Sequence, residues 1–200
     1  MKRKENNTIV LTGPSGSGKS ELINYVTKYN PTYIEANGVT TRERRPNEIG
    51  KMNFITIDEF QKLIIDNRLI EYTIFNNNYY GVSKDEFKKL IDYNLIFNVG
   101  YSSACEIQKM YPSTFMIYLL PPTKEELLRR LGNRGEERYL LGMKETMENA
   151  FKYDYLLISL TDDYENTMND FLDITNQRSE SYQKKLVLSK NRDFVNNFYK

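Results

Sequence analysis

Histidine is absent from the 200 residues, and that gap excludes more than any other. It removes the usual general base and the commonest metal ligand, so zinc hydrolases and Ser-His nucleophile schemes fall away. Cysteine occurs once, at Cys105, which excludes an internal disulfide framework and fits a reducing compartment. Excess charge of either sign is missing too. With 28 Lys and Arg against 27 Asp and Glu, the net charge of +1 projects no broad field toward nucleic acid or an anionic membrane. Nor is there a long apolar run. The basic start "MKRKENN" is followed only by "IVL", too short for a signal peptide, and no stretch approaches a membrane span. These gaps lead us to expect a cytoplasmic protein that engages neither nucleic acid nor membrane. The length allows one good-sized core, hence one compact domain, with room for mobile flaps.

What is present alternates. Short β-branched runs, "TIVL" (8–11), "LIFNV" (95–99), "TFMIYLL" (114–120) and "YLLIS" (155–159), are separated by longer amphipathic stretches. That pattern predicts an α/β fold with a largely parallel sheet. Ser83-x-x-Glu86 and Thr123-x-x-Glu126 read as capping boxes, and Asp58 is placed to cap "EFQKLIIDN". From Val39 to Tyr80 the alternation breaks. An Arg-rich loop, a strand "FITI", a short helix, a strand "LIEYTIF", a turn "NNN" and a strand "YYGV" suggest a small, partly antiparallel insertion. The stretch "RRLGNRGEER" (129–138) is cationic and glycine-broken, as a mobile flap would be. The tail from Asn176 is polar, with Tyr182, Leu186, Val195 and Phe198 loosely at helical spacing.

The segment Gly13-Pro14-Ser15-Gly16-Ser17-Gly18-Lys19-Ser20 matches G-x-x-x-x-G-K-[ST]. It follows a strand and opens a helix, as a phosphate-binding loop requires. Its glycines let backbone N–H groups converge on a phosphate, and the helix dipole aims its positive end there. Lys19 would neutralise the β and γ oxygens of ATP, and the Ser20 hydroxyl would ligate Mg²⁺. Neither N-K-x-D nor D-x-x-G occurs, which argues against a GTPase, and the chain is short for a motor ATPase. A small kinase remains. The loop "VTTRERRPNEIG" offers it an acceptor site, because two of Arg42, Arg44 and Arg45 could grip a phosphate dianion bidentately.

In these motifs the sequence resembles the guanylate kinase family, from about Thr8 to Thr175. The segments that carry the likeness are "GPSGSGKS", "VTTRERRPNEIGKMNFITIDEF", "LIEYTIFNNNYYGVS", "LLPPTKEELLRRLGNRG" and "YDYLLIS". The resemblance implies a P-loop core, an inserted monophosphate-binding region at about 38–94, and a short lid at about 129–145. Residues 176–200 would form a C-terminal extension. It also implies transfer of the γ-phosphoryl group of ATP, with Mg²⁺, to a nucleoside monophosphate. By the same likeness Arg42 and Arg45 bind the acceptor phosphate, assisted by Tyr80. Glu71 accepts hydrogen bonds from guanine N1 and N2, and Arg130 and Arg134 face the donor phosphates. The next lid arginine corresponds to Arg138, or secondly to Lys144.

The departures from the family pattern cluster. Gly38 stands where the family has serine, Val82 where a hydroxyl reads guanine O6, and Met52 where a tyrosine is usual. Asn98 and Gly100 replace two aspartates, the first serving the magnesium region and the second the purine. The donor side is kept while the guanine-reading groups are mostly gone. The expected activity is therefore phosphoryl transfer to GMP, dGMP or a related monophosphate. A catalytically weak nucleotide-binding interaction module is the alternative, as is a kinase for another small phosphorylated acceptor. Lys19, Arg42, Arg134 and Arg138 would carry the chemistry.

Overall fold

The computed structural model describes residues 7–44, 52–75, 77–121, 123–132, 141, 144, 148–159 and 164–175. Its main sheet has five strands in the order β2-β7-β1-β8-β9 and is parallel throughout. These strands are β1 Thr8–Thr12, β2 Tyr33–Glu35, β7 Asn94–Asn98, β8 Phe115–Leu120 and β9 Tyr155–Ile158. Every residue of β1 is buried, because both faces of the sheet are covered. Side chains alternate accordingly. Ile9 and Leu11 pack with Leu22, Ile23 and Val26 of helix α1 (Lys19–Tyr29) and with Phe171 of the last described helix, Tyr164–Thr175. Val10 faces the other way, toward Phe87, Ala104 and Ile107. β2 is three residues long, too short to stand out as an apolar run.

A second sheet interrupts the first, in the order β4-β3-β6-β5. Its strands are β3 Gly38–Thr40, β4 Met52–Phe54, β5 Leu69–Phe75 and β6 Asn78–Ser83. β6 runs antiparallel to both β3 and β5, while β3 and β4 are parallel, so the insertion is partly antiparallel as expected. Helix α2 (Ile57–Ile65) closes one face through Phe60, packed with Val39 and Leu69.

Three local expectations need correction. Asp58 does not cap α2. Thr56 does, accepting from the Glu59 N–H while the Glu59 carboxylate accepts from the Thr56 N–H. This reciprocal pair starts the helix at Ile57, so the strand expected at "FITI" (54–57) lies earlier, at Met52–Phe54, and shares only Phe54 with it. Ser83 caps a 3₁₀ helix (Lys84–Ile91) by accepting from the Asp85 N–H. Its expected partner, the buried Glu86, instead accepts from the Asn37 N–H at 2.7 Å and pairs with Lys89. Thr123 does cap α4 (Lys124–Leu131), but Glu126 turns away to Arg129 and Arg130. A long-range partner wins over the local box at Glu86, and two arginines one turn on in the same helix win at Glu126. Arg45, Arg134 and Arg138, most of the "RRLGNRGEER" stretch and the tail lie outside the described residues; Lys144 is helical and exposed.

Candidate active site

The phosphate loop leaves the carboxyl end of β1, flanked by β7 and β8, where ligands of open α/β sheets collect. Gly13 lies against β8 so closely that a Cβ there would collide with the Leu119 carbonyl oxygen. Gly18 has φ +97° and stands at the N-cap of α1, so a side chain would be strained there. Between them Ser17 N–H donates to the Pro14 carbonyl at 3.1 Å, closing the turn, and Ser15 and Gly16 are half-buried within it. The Lys19 ammonium reaches back to the Gly13 and Pro14 carbonyls at 2.7 and 2.9 Å. A bound phosphate would be a stronger partner for it than neutral carbonyls. Ser20, the next residue of α1, is exposed.

Arg130 buttresses this loop from α4. Its guanidinium donates to the Ser17 carbonyl at 3.2 Å and to Ser159 Oγ at 3.4 Å, and its Nε to Glu126 at 2.6 Å. Arg129 and Arg130 together hold the Glu126 carboxyl down to about 2. Arg130 is thus fixed against the loop before any ligand arrives. Asn98 ends β7 beside Leu11 of β1 and is exposed. The Thr12 hydroxyl donates to the Val99 carbonyl at 2.8 Å, tying the two strand ends together.

The arginine loop is held by two hydroxyls that sequence reasoning passed over. Thr40, fully buried, donates to the Tyr79 carbonyl at 2.8 Å and accepts from the Arg42 N–H at 3.3 Å. Thr41 Oγ1 accepts from the Tyr79 N–H at 2.9 Å. They lace the end of β3 to β6, so Arg42 follows directly from a strand whose Thr40 faces Tyr80 in register. The guanidinium groups of Arg42 and Arg44 stand 5.2 and 4.8 Å from the Phe54 ring centre. Two cations gathered on one aromatic ring make a positive edge suited to a dianion. The threonine pair just before the arginine was the signal available in the sequence.

At the other end of β3, Gly38 lies opposite both Met52 and Val82. A Cβ on Gly38 would run into the Met52 sulfur, so the glycine and the methionine are a matched pair. Val82 is 5% exposed and packs into the core with Ala36 and Phe87. Glu71 of β5 accepts a hydrogen bond on Oε1 from Ser102 Oγ, from the first turn of helix α3 (Tyr101–Met110). Its Oε2 is buried and has no hydrogen-bond partner among the described residues. Gly100 is the N-cap of α3, exposed, with no atom within 4 Å of the place a Cβ would take. Nothing in the sequence singled out Ser102 or Ser159.

The structure thus brings Lys19, Ser20 and Arg130 to one side of the sheet's carboxyl edge. Glu71 and Tyr80 sit on β5 and β6 of the inserted sheet, and Arg42 lies just beyond its β3. Comparison with known proteins bears on the family and the fold. The guanylate kinase family model matches residues 5–178. A guanylate kinase of Wigglesworthia glossinidia brevipalpis is 33% identical over 205 aligned positions, covering 96% of this chain and 92% of the relative. One from Photobacterium profundum is 34% identical over 176, covering 81% and 83%. A crystal structure of guanylate kinase from Anaplasma phagocytophilum superposes with a TM-score of 0.69 over 90% of each chain, at 23% identity, and so shares the fold. A match of this extent on a phosphate loop of this geometry leads to one conclusion: the chain belongs to the guanylate kinase family and is a phosphotransferase of the nucleoside monophosphate kinase type.

Proposed function

We propose that the chain transfers the γ-phosphoryl group of ATP to GMP, dGMP or a related monophosphate whose base presents a ring N–H. The observation that carries this reading is the pairing of a constrained phosphate loop with an unpartnered buried carboxylate oxygen on Glu71. The attacking atom is an oxygen of the acceptor phosphate. It is already ionised near neutral pH, so a chain without histidine needs no general base for this reaction. The barrier lies in bringing two polyanions together. At about 4 Å and an effective dielectric near 20, each pair of unit charges repels by about 4 kcal/mol. Lys19 and Arg130 on the donor side offset this, as do Arg42 and Arg45 on the acceptor side, with Arg134 and Arg138 added from the lid. Catalysis is then positioning plus electrostatics.

The residues fit a hydrated Mg²⁺ held mainly by phosphate oxygens. Among the described residues no group of three or more His, Cys, Asp or Glu side chains could hold a metal alone. Ser20 and Asn98, both exposed near the loop, are neutral oxygen donors of the kind such an ion accepts alongside water. Bound there, Mg²⁺ would supply charge neutralisation at the transferring phosphoryl group.

ADP release that requires both ATP and a monophosphate, and that disappears in Lys19→Ala, tests the proposal. Asn98 favours a second reading, because an amide holds the magnesium shell less firmly than a carboxylate. On that reading ATP and monophosphate bind, yet ADP does not accumulate above the Lys19→Ala background.

A further inference from the structure

Two oxygens of one carboxylate are treated differently in this molecule. Oε1 of Glu71 accepts from the Ser102 hydroxyl, and Oε2 is buried without a hydrogen-bond partner among the described residues. A buried acceptor left unpaired is costly, so its position is best explained by a donor that arrives with a ligand. Ser102 occupies the first turn of α3, two residues after Gly100, and α3 packs on β5, which carries Glu71. The neighbouring Gly100 contributes no polar group, and the space above it is open. On the acceptor-base reading of Glu71, the polar edge of the base site reduces to one carboxylate and the hydroxyl that holds it.

We propose that Ser102 is the specificity-determining positioning residue of this edge. Its hydroxyl donates to Oε1 and orients the carboxylate so that Oε2 faces the base. A guanine edge offers two adjacent donors, the ring N1–H and the 2-amino group, which a free carboxylate takes as a fork. Ser102 takes one of the two lone pairs of Oε1 and by that bond turns the carboxylate out of the fork geometry, so the ring N–H is read at Oε2 and the amino group is not. The site then accepts bases by one imide N–H, a feature shared by guanine, hypoxanthine, uracil and thymine.

The experiment compares GMP with inosine monophosphate, which differs only in lacking the 2-amino group. Sites built to bind a polar group reject analogues lacking it by about ten-thousandfold or more. Here the wild-type kcat/KM ratio of GMP to inosine monophosphate should stay within about tenfold, as for a group that is not read. Ser102→Ala frees Oε1, and the ratio should rise by about tenfold, the scale of one hydrogen bond to a charged acceptor. Ser102→Thr keeps the hydroxyl and should keep the wild-type ratio. Equilibrium Kd values for the two monophosphates, measured without ATP, should move in the same way and do not depend on turnover. A ratio unmoved by Ser102→Ala, or GMP and inosine monophosphate weakened equally, overturns the role of Ser102 while leaving the kinase reading intact. Failure of both monophosphates to bind overturns the acceptor-base reading itself.

Discussion

The phosphate loop and the inserted sheet with its neighbour α3, donor and acceptor sides on the proposed function, are built with different tolerances. Around the phosphate loop the backbone is hemmed in: Gly13 abuts the Leu119 carbonyl, Gly18 sits at φ +97°, and Arg130 is bonded to the Ser17 carbonyl. Around Gly38 and Gly100, which the proposed function puts beside the base, the neighbours are a side chain or open space rather than backbone. Gly100 has no neighbour within 4 Å of a Cβ, and a flexible methionine fills the room beside Gly38. On the proposed function the difference follows from the ligands. A triphosphate presents the same oxygens every time, so its site is a backbone cradle in which a methyl group is an obstruction. A base is read by a few side chains, and those can change without disturbing the strands that carry them.

Substitutions on the two sides should therefore differ in kind. Gly13→Ala should have the largest effect. Its Cβ meets backbone rather than a movable side chain, so thermal stability and ATP binding should both fall, as calorimetry would show. Lys19→Ala should lower kcat by about a thousandfold, comparable to removing a key electrostatic group elsewhere, with an unchanged melting temperature. Arg42→Ala should raise the acceptor KM and lower kcat together, by about a hundredfold in kcat/KM, because the clamp both binds and aligns the attacking phosphate. ATP affinity measured without acceptor should hold. A large loss of ATP binding would place that loop on the donor side and erase the contrast.

Gly100→Asp should act in the opposite direction. The open space admits the carboxylate, the N-cap position of α3 welcomes it, and stability should change by only about 0.3 kcal/mol. Preference for GMP over dUMP should rise by about tenfold as a second acceptor returns to the base edge. Val82→Ser is a poorer probe, since Val82 is buried in the core and an unpaired hydroxyl there would cost about 1–3 kcal/mol.

The smallest effect concerns pH. The folded carboxyl of Glu126 is depressed to about 2 from an ordinary 4.5, first by Arg129 and then by Arg130. Its contribution to stability is complete above pH 4.5 and is lost as pH falls through that range. The melting-temperature difference between wild type and Glu126→Gln should thus be constant from pH 8 to 5 and shrink only below about 4.5.

Much of this was legible in the chain. "GPSGSGKS" between a β-branched run and a helical one was legible as a constrained loop between β1 and α1, because a phosphate loop is a local structure. The insertion showed in its broken alternation. The groups that were not legible act across the fold. Ser102 meets Glu71 over 31 positions, and Ser159 meets Arg130 over 29. Glu86 abandons its capping box for Asn37, 49 positions away. Val82 shows the limit from the other side. The motif placed it at the base, while the alternation of β6 and the core beneath it keep its side chain 5% exposed.

The central claim is that the donor chemistry is intact while the base is read through a single ring N–H. It is tested most directly by kcat/KM, with ATP as donor, for GMP, dGMP, dUMP, UMP, dTMP, CMP and AMP. The account predicts activity with the ring N–H bases, GMP holding at most a modest lead, and little or none with AMP. A preference for GMP by several orders of magnitude would contradict it, and a preference for AMP would remove Glu71 from the base site.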